Sequence, residues 1–363
     1  MEDIAKLRGT NNKVISVFDN MDTVTSEKTW DAALISAGAA IEAVDQVMAG
    51  KVRNAFCATR PPGHHAGIFG KTFHPEDKRK ACSNGFCFIN NVAMAASYTL
   101  STYRSKIKKI AIVDFDVHHG NGTQEIVEAL MKPKQFTVHN DCSPFSIFEI
   151  STNKYQPWLD FKDGKNVLFV SVHLFNNTPA ESSDSNSSEL PSRQDVRSIF
   201  FPGTGSVDEN TRETDAEYPG GILNVPIKPG EASSVQWRQH FTQTVLPRLA
   251  KFKPDFIFCS AGFDAHEKDL IHGADDTGVN EFDYEWLTEQ LQLTANQFAQ
   301  GRLVSVFEGG YNINLGPISP LVQSVAAHVR SLNNTHSGPL FKASSECEEE
   351  EELGEGFAAY ERF

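Results

Sequence analysis

Several features are scarce in this sequence of 363 residues. No run approaches the roughly 18 apolar residues that a membrane-spanning helix needs. The polar start, MEDIAKLRGTNNK, lacks the apolar region of a secretory signal. The six cysteines form no C-x-x-C pair in a long chain, which is typical of reduced thiols rather than of a disulfide scaffold. We therefore expect an intracellular protein, in the nucleus, the cytoplasm or both, and neither a secreted nor a membrane protein.

Positive charge is also in short supply. The chain has 33 Lys+Arg against 47 Asp+Glu, a formal net charge of −14. Because phosphate contacts need a basic surface, this balance argues against direct nucleic-acid binding as the main activity. The same acidic surface suits a basic partner or substrate.

Apolar residues are plentiful, at 40% of the chain, and their spacing indicates secondary structure. Between residues 30 and 50 they recur with helical spacing, and Gly50 stands where a C-terminal cap belongs. Short continuous apolar runs predict strands buried on both faces of a parallel sheet; these are residues 54–58, 110–116, 167–174, 256–263 and 303–310. Predicted helices at 87–100, 234–252 and 281–300 alternate with the strands. The alternation predicts a doubly wound, three-layer α/β domain with a mostly parallel sheet.

Two segments differ from the rest in composition. Residues 178–198 are rich in Ser and acidic residues and poor in apolar ones, which predicts an exposed, mobile insertion. Residues 343–363 contain a block of glutamates, which predicts an acidic, disordered tail. The predicted organisation is one catalytic domain over residues 1–342 followed by this tail.

Polar side chains follow every predicted strand at its carboxyl end, where ligands bind in open parallel sheets. They are His64 and His65 after the first run, Asp114, Asp116 and His118 at the second, His173 in the third, Asp264 and His266 after the fourth, and Glu308 and Tyr311 at the end of the fifth. Such groups are costly to bury without partners. Their shared position therefore predicts a functional site at one edge of the sheet.

The sharpest local pattern is Asp114-Phe115-Asp116-Val117-His118. In an extended strand, residues two apart share a face, so Asp116 and His118 would form a pair of metal ligands, with Asp264 from another strand as the third. Zinc accepts histidine nitrogen and carboxylate oxygen, and a catalytic zinc keeps an open position. For a lone D-x-H pattern, a turn-capping aspartate and a hydrogen-bonded histidine would be a better explanation than a metal site. They do not explain why all five predicted strand ends carry polar groups.

Two adjacent histidines, His64 and His65, follow Pro-Pro-Gly, which fixes the backbone. They could be further metal ligands, or a base and its partner near neutral pH; a surface loop explains the dipeptide equally well. Asp114 has the geometry of an acceptor that orients a histidine.

Three aromatic residues stand beside or close to glycines in the sequence. Tyr311 could donate a hydrogen bond to a developing oxyanion, or could be a buried tyrosine with a structural partner. Phe86 and Phe201 could line a narrow slot for an aliphatic chain, although most such phenylalanines belong to a core.

Taken in order, seven motifs resemble the zinc-dependent histone deacetylases, and most closely the class II branch. They are RPPGHHA (60–66), GFCFINNVAMAA (85–96), VDFDVHHGNGTQ (113–124), VSVHLF (170–175), FFPGTG (200–205), SAGFDAH (260–266) and EGGYN (308–312). The resemblance implies the arginase/deacetylase fold and zinc-dependent hydrolysis of Nε-acetyl-lysine in histones or other proteins. It also implies roles in chromatin regulation and transcriptional repression, with a corepressor complex as partner.

The resemblance further implies a role for individual residues. Zinc is bound by Asp116, His118 and Asp264; His65 acts as general base and then acid, His64 gives electrostatic support, and Tyr311 polarises the acetamide carbonyl. Asn121 stands where class I members carry an aspartate that partners the second histidine, which fits class II. The acetyl-lysine tunnel is assigned to Phe86, Phe201, Gly85 and Gly309, and a structural monovalent cation, usually potassium, to Asp114, Ser171 and Val172.

The sequence also departs from the family pattern. It starts downstream of the strand and helices with which family members begin, so we expect the family's N-terminal strand to be lacking. Residues 131–165 and 178–198 are longer than the usual connections. Two other functions stay open: an acetylpolyamine amidohydrolase, and an inactive zinc-binding scaffold for corepressors. A manganese ureohydrolase of the arginase type would need more carboxylate ligands for its two-metal centre.

Overall fold

The computed structural model describes residues 16–17, 23–68, 70, 85–131, 158, 163–176, 200–211, 220–272, 276–314 and 316–334. The strands are β1 (Ser16–Val17), β2 (Val24–Thr25), β3 (Asn54–Cys57), β4 (Ile110–Asp114), β5 (Val167–Leu174), β6 (Gly221–Ile227), β7 (Ala232–Ser233), β8 (Phe256–Ala261), β9 (Thr277–Gly278) and β10 (Leu303–Phe307). The helices are α1 (Thr29–Met48), α2 (Asn91–Thr102), α3 (Asn121–Met131), α4 (Asp163–Asn166), α5 (Ser234–His240), α6 (Leu246–Phe252), α7 (Glu281–Phe298) and α8 (Pro320–Asn333).

Six strands form one parallel sheet in the order β3-β10-β8-β4-β5-β6. Every residue of β4, β5 and β8 is buried, as expected for parallel strands covered on both faces. The five predicted strands are all present in this sheet. The sixth, β6, was missed because Asn224 and Pro226 interrupt its apolar run.

Helices cover both faces of the sheet, so the predicted three-layer fold is confirmed. Ile110 and Ile112 of β4 pack on one side with α1, α2 and α3. Ala111 and Val113 point to the other side, against α5 to α8. This alternation follows from the two-residue period of a strand.

Local hydrogen bonds correct one predicted helix boundary and the interior of another predicted helix, whose two ends are confirmed. The helix predicted at residues 87–100 begins at Asn91, because the side chain of Asn90 accepts from Ala93 N at 3.0 Å and caps the helix. The helix predicted at 234–252 is built as α5 and α6 joined by a π turn over Phe241–Val245.

Some expectations fall on residues that the structure does not describe. They concern residues 1–15, the insertion at 178–198, the tail at 343–363 and most of 131–165; the predicted domain boundary and the predicted lack of an N-terminal strand therefore stay predictions. Within the described ranges, none of the helices combines the length and apolar character needed to cross a membrane.

Candidate active site

The chain turns sharply where β4 ends. Asp114 Oδ1 accepts a hydrogen bond from Asp116 N at 3.1 Å, and Asp116 Oδ1 accepts one from His118 N at 2.9 Å. Each aspartate thus captures the amide two residues further on, which is how Asp side chains form turns. The strand predicted at 110–116 therefore ends at Asp114, and the expectation that all three side chains share one strand face is wrong. Successive turns bring Asp116 and His118 together instead.

Asp116, His118 and Asp264 each offer one ligand atom, and these atoms lie within 4.8 Å of one another. His118 Nδ1 is 3.0 Å from Asp116 Oδ1 and 3.3 Å from Asp264 Oδ2. The remaining carboxylate oxygens are fixed by backbone amides, since Gly309 N donates to Asp116 Oδ2 at 2.8 Å and Val117 N donates to Asp264 Oδ1 at 3.0 Å. Three potential metal ligands from two strand ends therefore lie close together.

The three side chains fit a single divalent ion. Asp264 Oδ2 is buried and faces His118 Nδ1 at 3.3 Å, with no backbone amide bound to it. A buried carboxylate oxygen is costly unless a cation faces it. Burial lowers the pKa of His118, but the hydrogen bonds with Asp116 and Asp264 outweigh burial and raise the pKa to about 9. The two carboxylates thus favour a positive charge at this position. One nitrogen and two oxygen donors suit zinc.

Glycine is required next to this cluster. A Cβ on Gly309 would lie 2.1 Å from Asp264 Oδ2 and 2.5 Å from Asp116 Oδ2. The structure thus places Gly309, which the resemblance assigned to the tunnel, directly against the two carboxylates.

The tandem histidines face the cluster, each with a different partner. His64 Nδ1 is 3.0 Å from Asp114 Oδ2, and His65 Nδ1 is 2.7 Å from Asn121 Oδ1. Burial lowers the pKa of His64, but the charges of Asp116 and Asp114 outweigh burial and hold that pKa well above its ordinary value. Burial together with the positive charges of His64 and His118 holds the pKa of His65 well below its ordinary value. His64 is therefore a cation and His65 a neutral base.

Aromatic rings surround the histidines. The Phe201 ring lies 5.0 Å from that of His65 and 6.0 Å from that of His118. Phe200, which the sequence reasoning did not single out, stacks on His118 at 5.3 Å. On the other side, the Phe86 ring is 5.7 Å from the Tyr311 ring. These aromatic rings give the surroundings of His65, His118 and Tyr311 an apolar character.

Tyr311 is held in place from two directions. The Arg60 guanidinium lies 5.6 Å from the Tyr311 ring and donates to Glu308 O at 2.8 Å. Asp269 Oδ2 accepts from Tyr311 N at 2.7 Å and from Asn312 N at 3.1 Å. Burial raises the pKa of Tyr311 well above 10, and the charge of Asp264 adds to the effect. The phenol therefore keeps its proton and can donate a hydrogen bond.

Gly85 fits closely under the second histidine. It has a φ of +52°, and a Cβ there would lie 2.2 Å from His65 Cδ2. The next residue, Phe86, also has a positive φ, +68°. A residue without a side chain is therefore needed at position 85 for His65 to keep its place.

The residues assigned to a monovalent cation also lie side by side. Asp114 and Ser171 are register partners of β4 and β5, and Val172 follows. His173 Nε2 lies 3.1 Å from Gly205 O and can donate to it, so its Nδ1 can accept from Ser171 Oγ at 2.9 Å.

Glu308 was noted only as a polar strand end, but it links three segments of the site. It is fully buried. Its Oε2 accepts from Gly63 N at 2.6 Å and from His64 N at 3.1 Å, and its Oε1 accepts from Ser260 Oγ at 3.0 Å. Asp269 was missed altogether. Both residues act through backbone amides, which a side-chain pattern in the sequence does not reveal.

An α/β domain that gathers three potential metal ligands, two histidines and a tyrosine at the carboxyl edge of its sheet has the architecture of a metal-dependent hydrolase. The histone deacetylase domain family matches residues 1–330. The chain therefore belongs to the histone deacetylase family.

Individual relatives and a solved structure agree with this family. The chain is 35% identical over 315 residues to "Type-2 histone deacetylase 2" of Dictyostelium discoideum, covering 86% of this chain and 15% of the relative. It is 30% identical over 304 residues to "Histone deacetylase 15" of Arabidopsis thaliana, covering 84% of this chain and 41% of the relative. The crystal structure of an HDA15 HD domain superimposes with a TM-score of 0.61 at 27% identity, covering 92% of this chain and 72% of that one. The chain thus spans less than half the length of these two curated relatives.

Proposed function

We propose that this chain is a zinc-dependent amidohydrolase that removes the acetyl group from Nε-acetyl-lysine in histones or other proteins. The observation that carries the proposal is the convergence of Asp116, His118 and Asp264, with the buried Asp264 Oδ2 only 3.3 Å from His118 Nδ1. The names of the relatives, all histone deacetylases, support the same chemistry.

Asp116, His118 and Asp264 would hold the zinc ion, which supplies a Lewis acid that polarises the acetyl carbonyl and acidifies water. His65 is the proton acceptor in this arrangement. Its Nδ1–H points to Asn121 Oδ1, 2.7 Å away, so the Nε2 lone pair is left for the water proton. Because the pKa of His65 is depressed, the imidazole is neutral and ready to take that proton, and then delivers it to the lysine nitrogen as the amide bond breaks.

His64 and Tyr311 stabilise the negative charge that develops on the acetyl oxygen. The His64 cation is fixed by Asp114 at 3.0 Å, and the Tyr311 phenol keeps its proton because it is buried. A positioned donor aimed at the developing charge is the arrangement that stabilises an oxyanion.

The shape and charge of the chain suit an acetylated lysine of a basic protein. Phe86, beside Tyr311, and Phe201, beside His65, would flank the aliphatic lysine stem and contact it. A net charge of −14 favours the approach of basic histone tails. The proposal includes chromatin regulation and transcriptional repression in the nucleus or cytoplasm, as a member of a corepressor complex. It also includes a structural potassium ion held by Asp114, Ser171 and Val172.

The test measures two quantities for each variant. One is the turnover of an acetyl-lysine histone peptide, and the other is the zinc content, determined by plasma mass spectrometry. Tyr311→Phe should keep stoichiometric zinc and lose about 10²–10³-fold in kcat, as expected for one lost oxyanion donor. Tyr284→Phe is the matched control, because the Tyr284 hydroxyl is buried in the core and makes no hydrogen bond; it should leave kcat unchanged. Asp264→Asn should lose both zinc and turnover.

Each alternative predicts a different outcome. Full turnover by Tyr311→Phe and Asp264→Asn would refute the assignment. Stoichiometric zinc without turnover in the unmodified chain would favour a corepressor scaffold, and faster hydrolysis of acetylspermidine than of the peptide would favour an acetylpolyamine amidohydrolase.

A further inference from the structure

The amino edge of the sheet, opposite the active site, carries a cluster of exposed cations that the proposed function does not use. We define the basal face by six exposed residues in the segments that precede β3, β4 and β8: Lys51, Arg53, Arg104, Lys106, Lys108 and Lys253. This concentration of positive charge stands out in a chain whose net charge is −14.

The register of the sheet brings these segments together. Leu303 of β10 pairs with the first residue of β3, and with Ile257 of β8, while Ile110 of β4 pairs with Phe256 of β8. From β3 to β4 there are three strand spacings, which is about 14 Å. The segments also contact directly, since Asp255 N donates to Lys109 O at 2.8 Å and Arg302 Nε donates to Asp255 O at 2.9 Å. The six cations therefore form one surface.

These segments themselves carry little negative charge, and the nearby carboxylate of Asp45 on α1 accepts hydrogen bonds from the Tyr98 and Tyr103 hydroxyls. Across residues 49–53, 102–109 and 251–255, all of them described, Asp255 is the one carboxylate. Its Oδ2 accepts from the backbone amides of Lys108 at 2.8 Å and Lys109 at 2.9 Å, so it is committed to the fold. The carboxyl ends of α1, α2 and α6 also lie here and favour nearby cations. These partial charges do not neutralise six full ones.

The described chain leaves the fold beside the basal face. Asn54 Nδ2 donates to Leu332 O in the last turn of α8 at 2.9 Å, and Asn54 directly follows Arg53. Beyond Asn334 the sequence reaches six glutamates, at position 346 and at 348–352. Position 346 lies twelve residues beyond position 334, and a chain of that length spans up to about 40 Å. This reach exceeds the width of the basal face.

We propose that the acidic segment 346–352 binds the basal face of the same molecule. Charge complementarity and the exit point of the chain both favour this occupant over a separate polyanion. Tethering makes the contact intramolecular, so its effective concentration is high even though each ion pair is weak and sensitive to salt. The segment then shields the basal face from other polyanions while the active site at the opposite edge stays open.

Zero-length carbodiimide cross-linking of the full chain, followed by peptide mass spectrometry, tests the contact. Cross-links from the glutamates of residues 346–352 should concentrate on Lys106, Lys108 and Lys253 and should disappear in about 1 M salt. Lys28 and Lys228 are the controls, since both are exposed and lie at the opposite edge, before α1 and after β6. Cross-links distributed equally between the two edges would overturn the proposal.

A binding assay provides a second, independent measurement. The probe is a fluorescent peptide of residues 343–356. It is added to the unmodified full chain and to the Gln chain, a full chain in which the six glutamates at 346 and 348–352 are changed to Gln. The Gln chain should bind at least tenfold more tightly, because its own segment no longer competes. Lys106→Glu with Lys108→Glu, made in that chain, should abolish binding, whereas Lys28→Glu with Lys228→Glu, which gives the same net charge, should not.

Two results would contradict the proposal in this assay. One is equal peptide binding by the unmodified and Gln chains. The other is equal binding of a 20-base-pair DNA duplex by the unmodified chain and the Gln chain, with loss of that binding when Lys106→Glu and Lys108→Glu are introduced. The basal face would then be an open nucleic-acid surface.

Discussion

Replacing Glu308 with Met tests how the segment that carries His64 is held. The substitution removes the acceptor for Gly63 N, His64 N and Ser260 Oγ but keeps a side chain of similar length. A buried donor left without an acceptor costs about 1–3 kcal/mol. Because the loop can relax in part, we expect the free energy of unfolding to fall by about 3–6 kcal/mol. Movement of the histidines should lower kcat at least tenfold, with KM changed little because the aromatic walls stay in place.

The matched control is Asp283→Leu. Asp283 is also fully buried and also accepts from three donors, namely Asn280 N, Ser234 Oγ and Arg238 Nε. These donors belong to α5 and to the N-cap of α7, not to the segment that carries the histidines. Urea denaturation should show comparable destabilisation of both variants, and only Glu308→Met should lose kcat. Glu308→Gln keeps an oxygen for the two amides and should restore most of the turnover. An unchanged kcat in folded Glu308→Met, or an equal loss in Asp283→Leu, would refute the reasoning.

Three further predictions concern other parts of the molecule. Gly85→Ala should lower kcat at least tenfold, because the added Cβ would displace His65. The control is Gly50→Ala, since Gly50 has a φ of +69° but open space around it. This control should lower the unfolding free energy by only about 1–2 kcal/mol and leave kcat unchanged. Burial lowers the pKa of His328 to about 3 against 6.5 in the unfolded chain, so stability is complete above pH 6.5 and falls with decreasing pH. The loss should reach about 2 kcal/mol at pH 5, and His328→Phe should remove it in acid titrations of urea unfolding. If Asp114 helps bind potassium, replacing KCl with choline chloride at equal ionic strength should lower the Tm, and an unchanged Tm would count against that ion.

The central strands could be predicted because burial on both faces leaves a continuous apolar run. The predicted strand at 167–174 matches β5 in full, and all eight of its residues are buried. At the edge of the sheet this signal weakens, since β6 contains Asn224 and Pro226. The end of β4 was placed two residues too late, because Asx turns depend on side-chain hydrogen bonds rather than on apolar periodicity.

The convergence of Asp116, His118 and Asp264 could also be predicted, because parallel strands deliver their carboxyl ends to one edge. The supporting groups could not. Glu308 lies 245 positions from Gly63 and contacts its amide, and Asp269 holds the turn of Tyr311 from a different loop. Backbone amides carry no residue-type signature, so such contacts appear only once the fold is known.

The two tandem histidines show how neighbours along the chain acquire opposite chemistry. Both rings are buried, so burial alone would keep both neutral. His64 faces the carboxylate of Asp114, and the attraction of two nearby carboxylates exceeds the cost of burying a cation. His65 faces the neutral amide of Asn121 and stands 4.0 Å from the charged ring of His64, which opposes a second positive charge. One ring therefore supplies fixed charge and the other an available lone pair, and this division depends on the two partner side chains rather than on the His-His dipeptide itself.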